Sequence, residues 1–103
     1  MTLNLNLDEV VSRYEQKITE RLATGKTTQE QVDKVGLVDS DMELFAYQTL
    51  QSRAFASGKI SFDVAQWLYR TIGGEYPTKK RFNAQSPAKR AVVTQLMGEL
   101  LTK

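Results

Sequence analysis

Residues that start and stop helices divide this sequence into short segments, and they are the strongest constraint on its fold. An Asn, Ser or Thr followed three residues later by Glu can cap the first turn of a helix, and glycine readily adopts the left-handed conformation that ends one. Three such pairs stand just before or at the start of an apolar-periodic segment: Asn6 with Glu9, Thr27 with Glu30, and Ser40 with Glu43. The glycines that can end the segments are Gly25, Gly36, Gly58 and Gly73.

Apolar residues recur at helical spacing inside these segments. In the first segment, Leu7, Val11, Tyr14 and Ile18 form a single stripe. Long alternation of apolar and polar residues is absent, and 103 residues suffice for one core. We therefore predict an all-α fold, a small single-domain bundle of four main helices plus one short helix. The predicted helices span about 7–24, 28–35 (the short one), 41–57, 62–72 and 87–101.

The segment 41–57 differs from the others because apolar residues lie on both of its sides. Met42 and Phe45 share one face, whereas Leu44 and Phe55 point nearly the opposite way. We expect this helix to be central, and any apolar surface left exposed would mark a binding site. The region 73–86 is predicted to be a loop, and Ser86-Pro87 to start the last helix.

The residue types argue against an enzyme or a metal protein. The sequence has no Cys and no His, which removes the usual zinc ligands, the thiol nucleophile and the side chain that most often transfers protons at neutral pH. Gly25-Lys26-Thr27 lacks the earlier glycine of a phosphate-binding loop, since Glu20 stands there. The acidic stretch 39–43 lacks the glycine of a calcium loop. We expect no catalysis, no cofactor and no metal.

Two further features bear on location. No apolar run approaches the length of about 18 to 20 residues that crosses a bilayer. The first residues lack the basic and continuous apolar stretches of a secretory signal. We therefore expect a cytoplasmic protein with no membrane partner.

Charge is distributed unevenly along the chain. The formal net charge is +2, yet residues 76–98 contain five cations and no acidic residue. Such a cluster attracts polyanions and can displace counterions from phosphates. The cations are Lys79, Lys80, Arg81, Lys89 and Arg90.

Neighbouring residues extend this cluster. Lys89, Arg90 and Ser86 lie at the predicted start of the last helix, where unpaired backbone N–H groups favour an anion. Tyr76 and Phe82 flank the basic triplet, so either ring could stack on a base. Arg70 could widen the surface.

The sequence thus predicts a small non-catalytic nucleic-acid-binding protein, or a helical subunit of a nucleoprotein complex. It would contact phosphates largely without sequence specificity, because no base-reading motif is present. DNA and RNA remain open as partners. The alternative is a protein–protein adaptor or self-associating subunit, in which an acidic first helix, a basic C-terminal part and the excess apolar surface of the segment 41–57 make the contacts.

Overall fold

A computed structural model describes residues 2–102, which form a bundle of six α-helices with no strand in that range. The all-α prediction is therefore correct. Four helices are long and two have only five residues each. Their bounds are α1 Leu7–Ala23, α2 Gln29–Asp33, α3 Asp41–Ala56, α4 Phe62–Ile72, α5 Lys79–Asn83 and α6 Pro87–Thr102.

Most of the helices begin at a polar side chain that caps the first turn. The side-chain oxygens of Asn6 and Ser40 accept from the backbone N–H of Glu9 and Glu43, as their spacing predicts. The short helix α2 is a correction, because Thr28 caps it together with Gln31, one residue later than the expected pair. Consequently α2 covers residues 29–33 rather than 28–35.

The core lies where α1, α3 and α4 pack around α6. α6 contributes more buried residues than any other helix, in keeping with its many apolar positions. Burial of such side chains is the main favourable term in folding. The side chains with the least exposure include Leu44, Ile60, Val64, Leu68, Ile72, Phe82, Val92, Val93 and Met97.

α3 packs on α4 and α6, so it has more than one neighbour as expected, but the central helix is α6 and the prediction of a central α3 is wrong. Its Leu44 side is the buried one, and Ala54 lies in the core with it. The opposite side is open to solvent, with Met42 exposed to 74% and Phe45 also exposed. The two apolar sides of the helix therefore do not both find a neighbour among residues 2–102.

The segment before α1 is tied to the turn between α3 and α4. The N–H of Leu3 donates to the carbonyl of Lys59 at 2.8 Å, and the N–H of Ser61 donates to the carbonyl of Leu3 at 2.9 Å. A little further along, the indole Nε1 of Trp67 donates to Asp8 Oδ1 at 3.1 Å. These bonds hold the start of α1 against α4.

The helix α5 lies within the region predicted to be a loop. Thr78 caps it by accepting from the N–H of Arg81 at 3.3 Å, and Phe82 anchors it in the core. With five residues and one buried apolar side chain, α5 is too short to show helical periodicity, so tertiary contacts determine it. No helix in the described part of the chain is long and apolar enough to span a membrane.

Candidate nucleic-acid interface

The predicted basic residues lie on α5 and the first turn of α6, two elements held in direct contact. The side chains of Lys79, Lys80, Arg81 and Lys89 are exposed there. We call these four residues the basic corner. α5 is only about 8 Å long, so Lys79, Lys80 and Arg81 all lie within its one and a half turns.

Arg90 joins the two elements of the basic corner from inside. Its Nη1 donates to the carbonyl of Asn83 at 2.7 Å and its Nη2 to the carbonyl of Asp33 at 3.0 Å. Only 4% of Arg90 is exposed, and its Nε is buried without a partner. Burial lowers the pKa of the guanidinium, while the nearby Asp33 carboxylate opposes that shift.

Arg90 is therefore a correction to the predicted site. Its guanidinium donates to the last carbonyls of two short helices inside the protein. The C-terminal end of a helix carries partial negative charge and therefore favours a cation. These bonds explain why Arg90 stands in the first turn of α6, and no bound anion is needed to explain it. Lys89, its exposed neighbour, keeps the predicted orientation toward solvent.

Three further polar side chains, with four hydrogen bonds in all, fix α5 and the turn that follows it. The side chain of Asn83 accepts from the N–H of Val38 and donates to its carbonyl, both at 3.0 Å. Asp41 Oδ1 accepts from the backbone N–H of Lys79 at 2.7 Å. Gln85 donates to the carbonyl of Thr71 at the end of α4. The basic corner is thereby attached to the start of α3 and the end of α4.

The two aromatic residues predicted to stack on bases have different fates. Phe82 has 0% of its surface exposed, so neither face of its ring can receive a base. The prediction for Phe82 is wrong because the only apolar residue of α5 is needed to anchor that helix. Tyr76 has 77% of its surface exposed and lies three residues before α5, so its ring is open to a ligand.

Ser86 lies at the start of α6, as predicted. Its Oγ accepts from the N–H of Lys89 at 3.3 Å, so it caps its own helix. The hydroxyl proton stays available because it is not used in that bond.

Arg70 lies apart from the basic corner. It lines a separate groove of about 470 Å³ between α4 and the segment before α1, together with Asp8, Asp63 and Trp67. Two carboxylates in that groove make it a poor phosphate site. The structure therefore does not bring Arg70 into the predicted surface.

Among residues 2–102, no carboxylate neutralises the side chains of the basic corner. None of its four cations makes an ion pair within residues 2–102. On α1, Glu9 pairs with Arg13 of the same helix at 2.7 Å. In the described part of the chain, Asp41 is the one carboxylate bonded to the basic corner, and it accepts from the backbone N–H of Lys79. Counting it, four cations and one carboxylate leave a formal charge of +3.

Sequence reasoning missed the residues that hold this surface in place. Asn83 carries no motif, and it bonds the backbone of Val38. Gly36 is predicted from the sequence only to end a helix, yet it lies against Arg90, where a Cβ would come within 2.6 Å of the arginine Cβ. Asp41 belongs to the acidic stretch 39–43, and its bond to the backbone N–H of Lys79 has no sequence signal. Within the part of the chain that the structure describes, no three acidic side chains gather into a group that could hold a metal ion.

Comparison with known proteins adds no functional assignment. No protein-family model matches the sequence, and neither the curated proteins nor the solved structures gave a significant match. The interpretation of the site therefore depends on its own geometry and charge.

Proposed function

We propose that this protein binds nucleic acid through the basic corner, without catalysing a reaction on it. The observation that carries the proposal is a set of four exposed cations on two adjoining helix starts, none of them paired with a carboxylate. A polyphosphate chain would give each cation a partner and release the counterions condensed on the phosphates.

The basic corner is firmly attached to the rest of the protein, which supports a role in binding nucleic acid rather than a set of cations that only contact water. Its two elements are connected by Arg90 and fastened to the core by Asn83 and Phe82. Cations held on a fixed backbone lose less freedom on binding than cations on a mobile loop. Contacts of this kind fix the position of a nucleic acid without reading its bases, so binding would be largely independent of sequence.

The test is a salt titration of binding to unrelated DNA and RNA. We expect micromolar binding at low salt that weakens steeply toward physiological salt, as counterion release requires. The variant Lys79→Glu/Lys80→Glu/Arg81→Glu should lose this binding. The absence of binding at every salt concentration would refute the proposal.

A matched variant separates a local effect from one of net charge. Lys17, Arg21 and Lys26 are exposed cations of α1 and the turn after it, away from α5 in the sequence. Changing these three to Glu alters the net charge by the same amount. Binding should be reduced far less than in the α5 variant, and equal losses would mean that the basic corner is not the site.

A second candidate function is supported by the outer side of α3. Met42 and Phe45 are exposed there one turn apart, and exposed apolar residues of this size often mark protein interfaces. Under this proposal the protein is an adaptor or self-associating subunit. Light scattering at low and high salt would show an oligomer that Met42→Ser/Phe45→Ser converts to a monomer; a strict monomer would count against self-association.

A further inference from the structure

Three aromatic side chains lie exposed along the outer boundary between α3 and α4. The rings of Phe55 and Phe62 meet edge to face, with centroids 6.0 Å apart and an angle of 61° between the planes. Phe62 is 61% exposed. Tyr69 follows it by seven residues, so the two residues lie two turns apart on one side of α4. We call Phe55, Phe62 and Tyr69 the aromatic seam.

The aromatic seam borders a groove whose walls are mainly polar. Tyr69 shares this groove, of about 440 Å³, with the α3 side chains Gln48, Thr49, Gln51, Ser52 and Arg53. Arg53 makes no ion pair within residues 2–102.

The aromatic seam leads toward the basic corner. Tyr69 belongs to the last turn of α4, and its carbonyl accepts from the N–H groups of Gly73 and Gly74. Two residues further on, the carbonyl of Thr71 accepts from Gln85, which lies between α5 and α6. One polymer could therefore contact the basic corner and the aromatic seam together.

The charges and the groove lining favour a nucleic-acid strand over a protein helix. From Leu44 to Phe62 the sequence holds Arg53 and Lys59 and no acidic residue. Grooves that receive an amphipathic helix are lined mostly by apolar side chains, whereas the groove beside Tyr69 is lined mainly by polar ones. Exposed rings beside cations suit a polyanion with unpaired, flat bases.

We propose that the protein binds single-stranded nucleic acid, with the basic corner holding phosphates and the aromatic seam stacking unpaired bases. This inference rests on the proposed function and narrows it to a class of ligand. It accounts for the exposure of three large rings.

The test compares three probes of the same length, about 12 nucleotides, within the range of site sizes of small single-strand-binding domains. They are a mixed-sequence DNA strand, its duplex, and an abasic strand that carries the phosphates without the bases. Fluorescence anisotropy at one salt concentration gives Kd for each. Since Phe62 and Tyr69 should each contribute about tenfold, we expect the base-containing strand to bind about a hundredfold more tightly than the abasic strand.

The variants separate stacking from hydrophobic contact. Phe62→Leu and Tyr69→Leu keep an apolar side chain and remove the flat ring, and each should weaken binding of the base-containing strand by about tenfold. Binding of the abasic strand should be unchanged. Phe62→Trp restores a flat ring and should bind as the wild type does. Circular dichroism and thermal melting check that every variant is folded.

The outcomes distinguish the two proposals. If the Glu variants of α5 lose binding while the Leu variants bind all three probes as the wild type does, the basic corner is the site and the stacking proposal is overturned. If the Leu variants weaken binding to the duplex and to the abasic strand as much as they weaken binding to the base-containing strand, the rings do not contact bases and the proposal fails. If the wild type binds no probe, both proposals fail. A wild-type dimer that Phe62→Leu dissociates would identify the aromatic seam as a self-association surface instead.

Discussion

The side-chain amide of Asn83 forms hydrogen bonds with both backbone polar groups of Val38. It accepts from the Val38 N–H and donates to the Val38 carbonyl, each at 3.0 Å. One side chain therefore satisfies both polar groups of a buried residue in the connection between α2 and α3. Since Asn83 is the last residue of α5, the same two bonds determine where the basic corner sits.

Replacing Asn83 should destabilise the protein. Asn83→Ala leaves the N–H and the carbonyl of Val38 unpaired, and we expect a loss of about 2 kcal/mol in the free energy of unfolding. Asn83→Asp keeps an acceptor but faces the Val38 carbonyl with a second oxygen, so it should not be milder. Urea unfolding measures both. Gln66→Ala, an exposed amide on α4, is the control, and a loss in Asn83→Ala no larger than in this control would contradict the assignment.

Lys89 and Arg90 are neighbours in sequence, but Lys89 is exposed in the structure and Arg90 is buried. Arg90→Ala leaves the carbonyls of Asn83 and Asp33 without their donors and should cost about 3 kcal/mol of stability. Lys89→Ala should change stability by less than about 0.5 kcal/mol, because its side chain is exposed. Under the proposed function, Lys89→Ala instead weakens nucleic-acid binding and lowers its dependence on salt. Thermal melting and the salt titration together measure both effects.

Gly36 is confined by Arg90 as well as by its own backbone. Its φ is +70°, and a Cβ would lie 2.6 Å from the Cβ of Arg90. Gly25 has a nearly equal φ of +72° with open space around it, so it is a matched control. We expect Gly25→Ala to cost about 1 kcal/mol from backbone strain and Gly36→Ala to cost about 3 kcal/mol, because the clash is added. Equal losses in urea unfolding would show that Gly36 is not packed against α6.

Leu44 and Phe45 test which side of α3 is buried. Leu44 has no exposed surface, so Leu44→Ala should cost about 3 kcal/mol. Phe45→Ala removes a larger side chain from an exposed position and should cost less than about 1 kcal/mol. Urea unfolding of the two variants gives the order, and the reverse order would place the Phe45 side in an interface.

The same pair shows how far the sequence could lead. Cap residues and glycines were enough to place most helix ends within a residue or so, because those signals are local. The two faces of α3 are almost equally apolar, so periodicity could not say that Leu44 points inward and Phe45 outward. That choice depends on which neighbours α3 finds in the folded chain.

The candidate site was harder to predict for a related reason. Lys89 and Arg90 are alike in charge and adjacent in sequence, yet a helix turns about 100° between them, which places one in solvent and the other under α5. Phe82 looked like an exposed ring because the helix that buries it is too short to be recognised. Clusters of charge can be found from sequence, but the partner of each charge is a property of tertiary structure.

Tyr47 provides a pH test of the packing between α3 and α6. Burial raises the pKa of its hydroxyl above the usual value of 10.0, and the Glu43 carboxylate adds to this, while a hydrogen bond with the Thr94 side chain opposes it. Below pH 10 the hydroxyl is protonated in both states, so its contribution to stability is fully present. As the pH rises further, the unfolded chain releases this proton more readily than the folded protein, and stability falls. Urea unfolding from pH 8 to 11 should therefore show a shallower loss for Tyr47→Phe than for wild type. Tyr76→Phe, with its ring exposed in the folded state, is the control and should follow the wild-type profile; a Tyr47→Phe profile equal to it would mean that Tyr47 is not desolvated by α6.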